Sequence, residues 1–399
     1  MLSLRTLPLS KILKGTHVIM RVDWNVPIEK GAAKMSEKIA REIPFIKKLH
    51  ERGAIVLLLT HLGRPEGREK KFSTRSLATV AHVTSKLPIE YLDIDFSTPE
   101  GSKRFLKGLS VAKPGDLFLG ENVRFQPGED ENAAALVKKY AAWGQVFIND
   151  AFASCHRSHA SVVGLARALP SYAGPNLGEE VRALSFLLKP SKRPYLAFIG
   201  GSKLSTKLPV IQRLLKIADK VYIGGAMAHV FFAAKKLPIG SSLIEKDGIK
   251  IAKKLLASTK KIVIPTDAIV AKDIAPRARV HRSDLADITE TEAIGDVGIK
   301  TIQDWVQDVQ KAGTIVWNGP IGAAEIPAFS HASLILAKAI ALRSQKGAYA
   351  VAGGGDTLPV LAKSGMEDLF THVSTGGGAM LEFISENGNL PGVKALMGK

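Results

Sequence analysis

Apolar positions in this chain come in short continuous runs that end abruptly in polar or glycine-rich loops. Runs of that kind fill parallel strands covered on both faces, and between them the apolar residues recur at helical spacing. His17–Val22 is the first such run and stops at Asp23-Trp24-Asn25-Val26-Pro27. Ser36 then opens a helical pattern carried by Ile39, Ile43, Phe45, Ile46 and Leu49 and closed by Gly53. Strand Ala54–Leu59 leads to Thr60-His61-Leu62-Gly63-Arg64-Pro65, and the alternation continues with a helix near Arg75–Leu87, strand Leu117–Leu119, helix Ala133–Ala142 and strand Val146–Ile148.

Pro and Gly cluster at Pro170–Pro175, and Glu179–Leu188 reads as a helix bridging two halves. The same grammar then restarts with strands at Leu196–Ile199, Val221–Ile223, Ile262–Ile264, Thr314–Trp317, Ala348–Ala352 and Phe370–Val373. Strand–helix alternation in both halves predicts an α/β protein with two doubly wound, Rossmann-like parallel-sheet domains joined by a hinge helix, with a cleft between them. Ligands of such sheets bind beyond the carboxyl ends of the strands, so the loops there are where chemistry is sought.

Those loops differ between the halves. The first supplies cations and hydrogen-bonding groups: Asp23, Asn25, His61, Arg64, Arg124, His156, Arg157 and His159. Arginine forks match carboxylate and phosphate oxygens, so the set suits a small acidic metabolite, against the alternative of scattered surface charge. Cys155-His156 with His159 lacks the second ligand pair that a zinc site needs, and its basic neighbours disfavour a dication.

The second half supplies glycines at Gly200-Gly201, Gly224-Gly225, Gly353–Gly355 and Gly376–Gly378. Neither the G-x-x-x-x-G-K-[ST] nor the G-x-G-x-x-G fingerprint occurs, yet glycine-rich strand ends bring backbone donors toward a polyphosphate. In Val351-Ala352-Gly353-Gly354-Gly355-Asp356-Thr357 a strand, a glycine turn and a helix start follow in quick succession. By itself the stretch fits either a turn capped by Asp356 or a phosphate site with Asp356 on a divalent cation. Lys203 and Lys207 fall on one helix face and fit either a phosphate contact or a solvated surface. Glu325, after Trp317-Asn318-Gly319-Pro320, could accept ribose hydroxyls. An anion half-site, a nucleotide-like half-site and a hinge together suggest phosphoryl transfer with water excluded by closure.

Composition narrows the classes further. A chain of 399 residues exceeds one core and suits two domains of roughly 200 residues each. Lys and Arg total 55 against 37 Asp and Glu, a net +18 that favours polyanionic partners without choosing among them. Aromatics are only 6% and do not interleave with basic residues, so nucleic acid is not the expected partner. Cys155 is the single cysteine, which excludes an intrachain disulfide. The N-terminal stretch reads as neither signal peptide nor spanning helix, so a cytoplasmic protein with no membrane partner is expected.

Arg21-Val22-Asp23-Trp24-Asn25-Val26-Pro27 begins a run of motifs that resembles the phosphoglycerate kinase family. The run continues through His61-Leu62-Gly63-Arg64-Pro65, Glu121-Asn122-Val123-Arg124-Phe125, Asn149-Asp150-Ala151-Phe152, Trp317-Asn318-Gly319-Pro320, Gly353-Gly354-Gly355-Asp356-Thr357 and Ser374-Thr375-Gly376-Gly377-Gly378, in the family's order. The resemblance implies reversible, Mg²⁺-dependent phosphoryl transfer between 1,3-bisphosphoglycerate with ADP and 3-phosphoglycerate with ATP, by a monomer. It implies a glycerate-binding domain at 1–173, an interdomain helix at 174–189, a nucleotide-binding domain at 190–389, and a final segment, 390–399, packing back onto the first. Glycerate-binding positions match Asp23, Asn25, Lys38, His61, Arg64, Arg124, Arg157 and His159. Nucleotide-binding positions match Lys203, Lys207, Gly225, Gly298, Asn318, Glu325, Gly354, Gly355, Asp356 and Thr357, with Asp356 as the Mg²⁺ ligand. Lys38, Lys203 and Gly376, Gly377 and Gly378 match positions that act on the moving phosphoryl.

The sequence departs from the family where it matters. Lys38 stands for an arginine and loses the planar fork, with Arg41 one turn on as a candidate substitute. Thr206 replaces an Asp, Ala153 a Gly, Ile299 a Pro and Ala324 a Phe.

Overall fold

The computed structural model describes residues 3–29 and 32–397, and the chain divides into two compact units. Unit 1 comprises Met1–Arg182 with Gly388–Lys399, and unit 2 comprises Ala183–Asn387. Each is built on a six-stranded sheet whose neighbouring strands all run parallel. The fold is α/β with two Rossmann-like sheets, as the alternating pattern predicted.

In unit 1 the strand order across the sheet is Ile89–Leu92, Leu117–Gly120, Ile55–Leu59, His17–Arg21, Val146–Asn149 and Ser171–Ala173. The chain winds outward from His17–Arg21 in both directions, so that strand borders the switch point. Register sets Arg21 level with Leu59 and Asn149, which gathers three loops at one sheet end. Ile55–Leu59 is buried at every position, and Val18, Met20, Leu58, Ile148 and Trp24 belong to the core beneath it.

The helix Glu37–Glu51 begins after Ser36, as read from the sequence, but Ser36 makes no side-chain cap bond. The bridging helix runs Pro175–Leu188, four residues earlier than expected. Proline suits a first helical turn because its missing N–H would be unpaired there anyway, so the Pro170–Pro175 break ends in a helix start. Strand Ile89–Leu92 and helix Pro99–Ser110 are absent from the sequence reading: the strand is only four residues long, and the helix is interrupted by Glu100, Lys103, Arg104 and Lys107.

The C-terminal residues belong to unit 1: Gly392 N–H donates to Cys155 O at 2.9 Å, and Arg5 N–H donates to Leu396 O at 3.2 Å. Gly398 and Lys399, the end of the expected packing segment, lie outside the described residues, as do Met1 and Leu2.

In unit 2 the order is Ile262–Val263, Lys220–Ile223, Tyr195–Ile199, Thr314–Asn318, Tyr349–Gly353 and His372–Ser374. Numbered along the chain this is 3-2-1-4-5-6, the dinucleotide-fold order, with its switch point between Tyr195–Ile199 and Thr314–Asn318. Asn318 pairs level with Ile199 on one side and Gly353 on the other, and Gly353 with Ser374. A second sheet, unforeseen from the sequence, places Asp267–Ala271 between His281–Asp284 and Ala293–Val297, antiparallel to both. Its outer strand, His-Arg-Ser-Asp, is almost wholly polar and gives no hydrophobic signal. Among the described residues no helix is long and apolar enough to cross a membrane.

Candidate active site

At the carboxyl ends of the unit 1 strands the cationic residues picked from the sequence come together. Lys38 Nζ donates to Asp23 Oδ2 at 2.7 Å across the gap between its helix and the loop after the first strand. Asn25 Oδ1 accepts the Gly63 N–H at 2.9 Å, and the Arg124 guanidinium donates to Gly63 O, so three loops are pinned to one another. Arg157 Nε donates to His156 Nε2 at 3.1 Å. Arg124 feels the charges of Arg157 and Arg64, and His61 those of Arg124, Lys38 and His159, so Asp23, Asn25, Lys38, His61, Arg64, Arg124, Arg157 and His159 form one cluster.

Arg21, which sequence reasoning left inside its strand, underlies this cluster. It is fully buried, with Nε donating to Ser161 Oγ at 3.0 Å, Nη1 to Val22 O at 2.6 Å and Nη2 to His61 Nδ1 at 3.1 Å. A guanidinium only donates, so His61 Nδ1 must accept and the proton sits on Nε2. His61 is thus a neutral ring presenting an N–H. Burial, then the Arg21 and Arg124 charges, hold its pKa well below the usual range. His159, set between Glu129 and Asp130 at 3.8 and 3.3 Å, is pushed down to about 4, first by burial. Glu129 accepts both the N–H and the hydroxyl of Ser161, and burial raises it to about 7. The only sequence cue to this layer was an arginine ending an otherwise apolar strand.

Positive potential at the mouth is therefore permanent, supplied by arginines and lysine rather than by histidine protonation. Within this cationic cup Arg124 Nε and Asp23 Oδ1 are buried without a protein partner, one donor and one acceptor. Such a cup suits a small polar anion that also carries a hydroxyl.

Arg41 does not enter the cup. Its guanidinium lies 3.9 Å from Glu37 and 3.6 Å from Glu179, so the substitute for the family's arginine suggested by sequence is committed to surface ion pairs. Lys38 stands there alone.

In unit 2 a cavity of about 1070 Å³ opens at the switch point, lined among others by Gly201, Gly225, Phe232, Pro320, Glu325 and Asp356. That is ample for a nucleotide. Beside it Lys207 Nζ donates to Asn318 Oδ1, and Asn318 Nδ2 donates to Gly353 O at 2.8 Å. Gly354 has φ +112°, and a Cβ there would lie 2.8 Å from Asn318 Nδ2, so only glycine lets this turn press on the asparagine. Burial lowers the Lys207 pKa, with the Asp356 charge opposing.

Thr357 is fully buried; its hydroxyl donates to Gly353 O at 3.0 Å and accepts the Gly319 N–H at 2.7 Å. The side chain matched to a nucleotide-binding position thus holds two loops together. Asp356 makes no side-chain cap bond to the following helix, which removes the alternative of a turn capped by Asp356. Gly355 is exposed beside it. Lys203 is exposed at the start of helix Leu204–Ile217, and Thr206 Oγ1 returns to Lys203 O at 3.0 Å.

Gly298 does not line the cavity; its N–H donates to Asp267 O at 2.9 Å at the start of helix Ile299–Lys311. Ile299 there is 57% exposed, whereas Ala324 is buried on the cavity wall, so only the second replacement reshapes the site. Gly376–Gly378 lie one strand beyond Gly353, where Gly377 takes φ +54°, ψ −119° ahead of helix Gly378–Ser385. Neither Gly377 nor Gly378 would meet a neighbour with an added Cβ, so open space lies before that helix start. Helix starts carry unpaired N–H groups and positive potential.

Among the described residues no group of three or more His, Cys, Asp and Glu could cage a metal. Magnesium, however, binds through one or two carboxylates together with substrate phosphates. A single exposed Asp356 at the mouth of a nucleotide-sized cavity fits that mode, with the nucleotide supplying the other oxygens.

The family model for phosphoglycerate kinase matches residues 10–387. The phosphoglycerate kinase of Thermus thermophilus is 40% identical over 390 residues, covering 96% of this chain and 98% of that protein. That of Thermosipho africanus is 41% identical over 392 residues, covering 97% and 96%. The solved phosphoglycerate kinase of Coxiella burnetii superposes with a TM-score of 0.85 at 38% identity, covering 98% of both chains. The Pyrococcus horikoshii phosphoglycerate kinase gives 0.82 at 29%, covering 97% of both. Likeness at this level runs from end to end and includes both sheets with their loops, and the chain belongs to the phosphoglycerate kinase family.

Proposed function

We propose that this protein catalyses reversible phosphoryl transfer between 1,3-bisphosphoglycerate with ADP and 3-phosphoglycerate with ATP, the glycolytic and gluconeogenic reaction of its family. The observation that carries the reading is the unit 1 cup, in which Arg64, Arg124, Arg157, Lys38 and neutral His61 lie close enough to feel one another's charges. The arginines and the His61 N–H hold the phosphate and hydroxyl of 3-phosphoglycerate, and Asp23 and Asn25 orient it. In the forward direction of ATP use, a carboxylate oxygen attacks the γ-phosphorus as the bond to the β-bridging oxygen breaks and its electron pair leaves with ADP.

The transferring group spreads charge over its equatorial oxygens, so positioning and electrostatics do most of the work. Lys38, Lys203 and the N–H groups at Gly376–Gly378 are assigned to that charge. The nucleoside lies in the unit 2 cavity against Gly225 with Glu325 toward the ribose, and Lys207, Asn318 and the Gly354–Thr357 turn shape the phosphate end. Gly298 supports the same site through its bond to Asp267 O. Asp356 would hold Mg²⁺ on the nucleotide, where the ion supplies neutralisation of phosphate charge. The protein works as a monomer in the cytoplasm in this reading, which size-exclusion chromatography and cell fractionation check. The functional test is Mg-ATP-dependent turnover of 3-phosphoglycerate in a coupled assay; absence of turnover with both ligands bound would sink the reading.

A further inference from the structure

Behind the Asp23–Lys38 pair lies a buried acidic pair that the mechanism does not use. Glu42, one turn along the helix from Lys38, is 3% exposed, and Asp150, at the end of the neighbouring strand, is 2% exposed. Asn176 Nδ2 reaches both Arg41 O, next to Glu42 on the helix, at 3.4 Å and Asp150 Oδ2 at 2.9 Å, and Glu42 feels the charges of Asp150 and Asp23. Asp150 Oδ1 accepts the Leu177 N–H at 2.8 Å, and Oδ2 accepts from Asn176 Nδ2 at 2.9 Å, both in the first turn of helix Pro175–Leu188. The fit is close: a Cβ on Gly174 would lie 2.4 Å from Asp150 Cγ.

Two adjacent buried carboxyls cannot both be ionised, and Lys38, one turn back along the helix from Glu42, is engaged by Asp23 Oδ2. Glu42 Oε2 has no partner while it is only an acceptor. One proton between Glu42 and Asp150 resolves both problems. Burial, then Asp150 and Asp23, push the Glu42 carboxyl well above the carboxylate range, and burial raises Asp150 as well. The titratable groups facing Glu42 are those two aspartates, with Lys38 behind Asp23.

We propose that Glu42 is a positioning residue for the glycerate site, seating the helix that carries Lys38 beside Asp150 and the first turn of helix Pro175–Leu188 and so fixing the Asp23–Lys38 pair. The proposal rests on the 3-phosphoglycerate reading of the cup. A neutral Glu42 has a proton to donate to Asp150; once ionised it repels Asp150 and loosens the seat of the Lys38 helix.

The test measures KM for 3-phosphoglycerate and for ATP between pH 6 and 9, with thermal melting, in wild type, Glu42→Ala and Glu42→Gln. Glu42→Ala should raise the 3-phosphoglycerate KM about tenfold, the size of a lost buried hydrogen bond, and leave the ATP KM in place. Glu42→Gln should rescue that KM at neutral pH and abolish the alkaline rise in KM that wild type shows. Loss of melting temperature in both variants with KM unmoved would reduce Glu42 to a structural residue and overturn the proposal. A glutamine variant as impaired as the alanine one would also overturn it, because an ionised carboxylate would then be required. A wild type that turns over normally but shows no alkaline rise overturns the shared proton; a wild type that fails to bind 3-phosphoglycerate overturns the functional reading and this inference with it.

Discussion

Replacing Lys38 by arginine should make the enzyme both faster and more stable. Lys38 reaches Asp23 Oδ2 at 2.7 Å with side-chain exposures of 27% and 12%, and it leaves Asp23 Oδ1 buried without a partner. A guanidinium fork can serve both oxygens and still present N–H groups to the moving phosphoryl. A charge-assisted hydrogen bond contributes about 1.5–3 kcal/mol when shielded. With the cation about one quarter open to solvent, roughly 1 kcal/mol is a fair share. In a unit of roughly 200 residues that corresponds to a rise of about 2–4 °C in Tm, and in the transition state to about fivefold in kcat. The converse change, Lys38→Met, strips Asp23 of its cation beside Glu42 and Asp150, and should cost about 2–3 kcal/mol of stability with a larger loss of turnover. Scanning calorimetry and the coupled assay on wild type and both variants decide the matter. An arginine variant with unchanged melting and rate would refute the reasoning, since the orphaned oxygen would then carry no cost.

Three further outcomes follow from named contacts. Asp356→Ala should abolish measurable Mg-nucleotide affinity in titration calorimetry while 3-phosphoglycerate binding persists; unchanged nucleotide binding would remove Asp356 as the metal residue. Gly377→Ala meets no neighbour but must hold φ +54°, so strain of about 1–3 kcal/mol should displace the helix start and lower kcat with both KM values kept. Asp296, raised to about 7 by burial, keeps a proton in the native state that the unfolded chain releases near pH 4. Its contribution is therefore present below about pH 4 and lost as pH rises toward 7, so Asp296→Asn should flatten the fall in urea midpoint between pH 5 and 7.5, and an unchanged slope would contradict the shift.

The parallel sheets were legible because a strand buried on both faces must be a continuous apolar run, as Ile55–Leu59 and Thr314–Asn318 are. The antiparallel sheet around Asp267 was not, since its outer strand carries His281, Arg282 and Asp284 toward solvent and relies on pairing rather than burial. Site residues on strand-end loops could be picked because loops advertise polar chemistry in sequence. The supporting layer could not: Arg21, Glu129 and Ser161 meet across 140 positions of chain, and a hydrogen bond of that span leaves no local pattern. Arg41 failed as a stand-in for a related reason, because its direction was set by Glu179 on a distant helix. The bond from the Gly319 N–H to the Thr357 hydroxyl was equally hidden, because it comes from the neighbouring strand end.

Mg-ATP-dependent formation of 1,3-bisphosphoglycerate from 3-phosphoglycerate, followed with purified protein with and without a chelator, tests the central claim most directly. Turnover that requires the metal and saturates in both substrates is the predicted result. Tight binding of each ligand with no transfer between them would contradict the account.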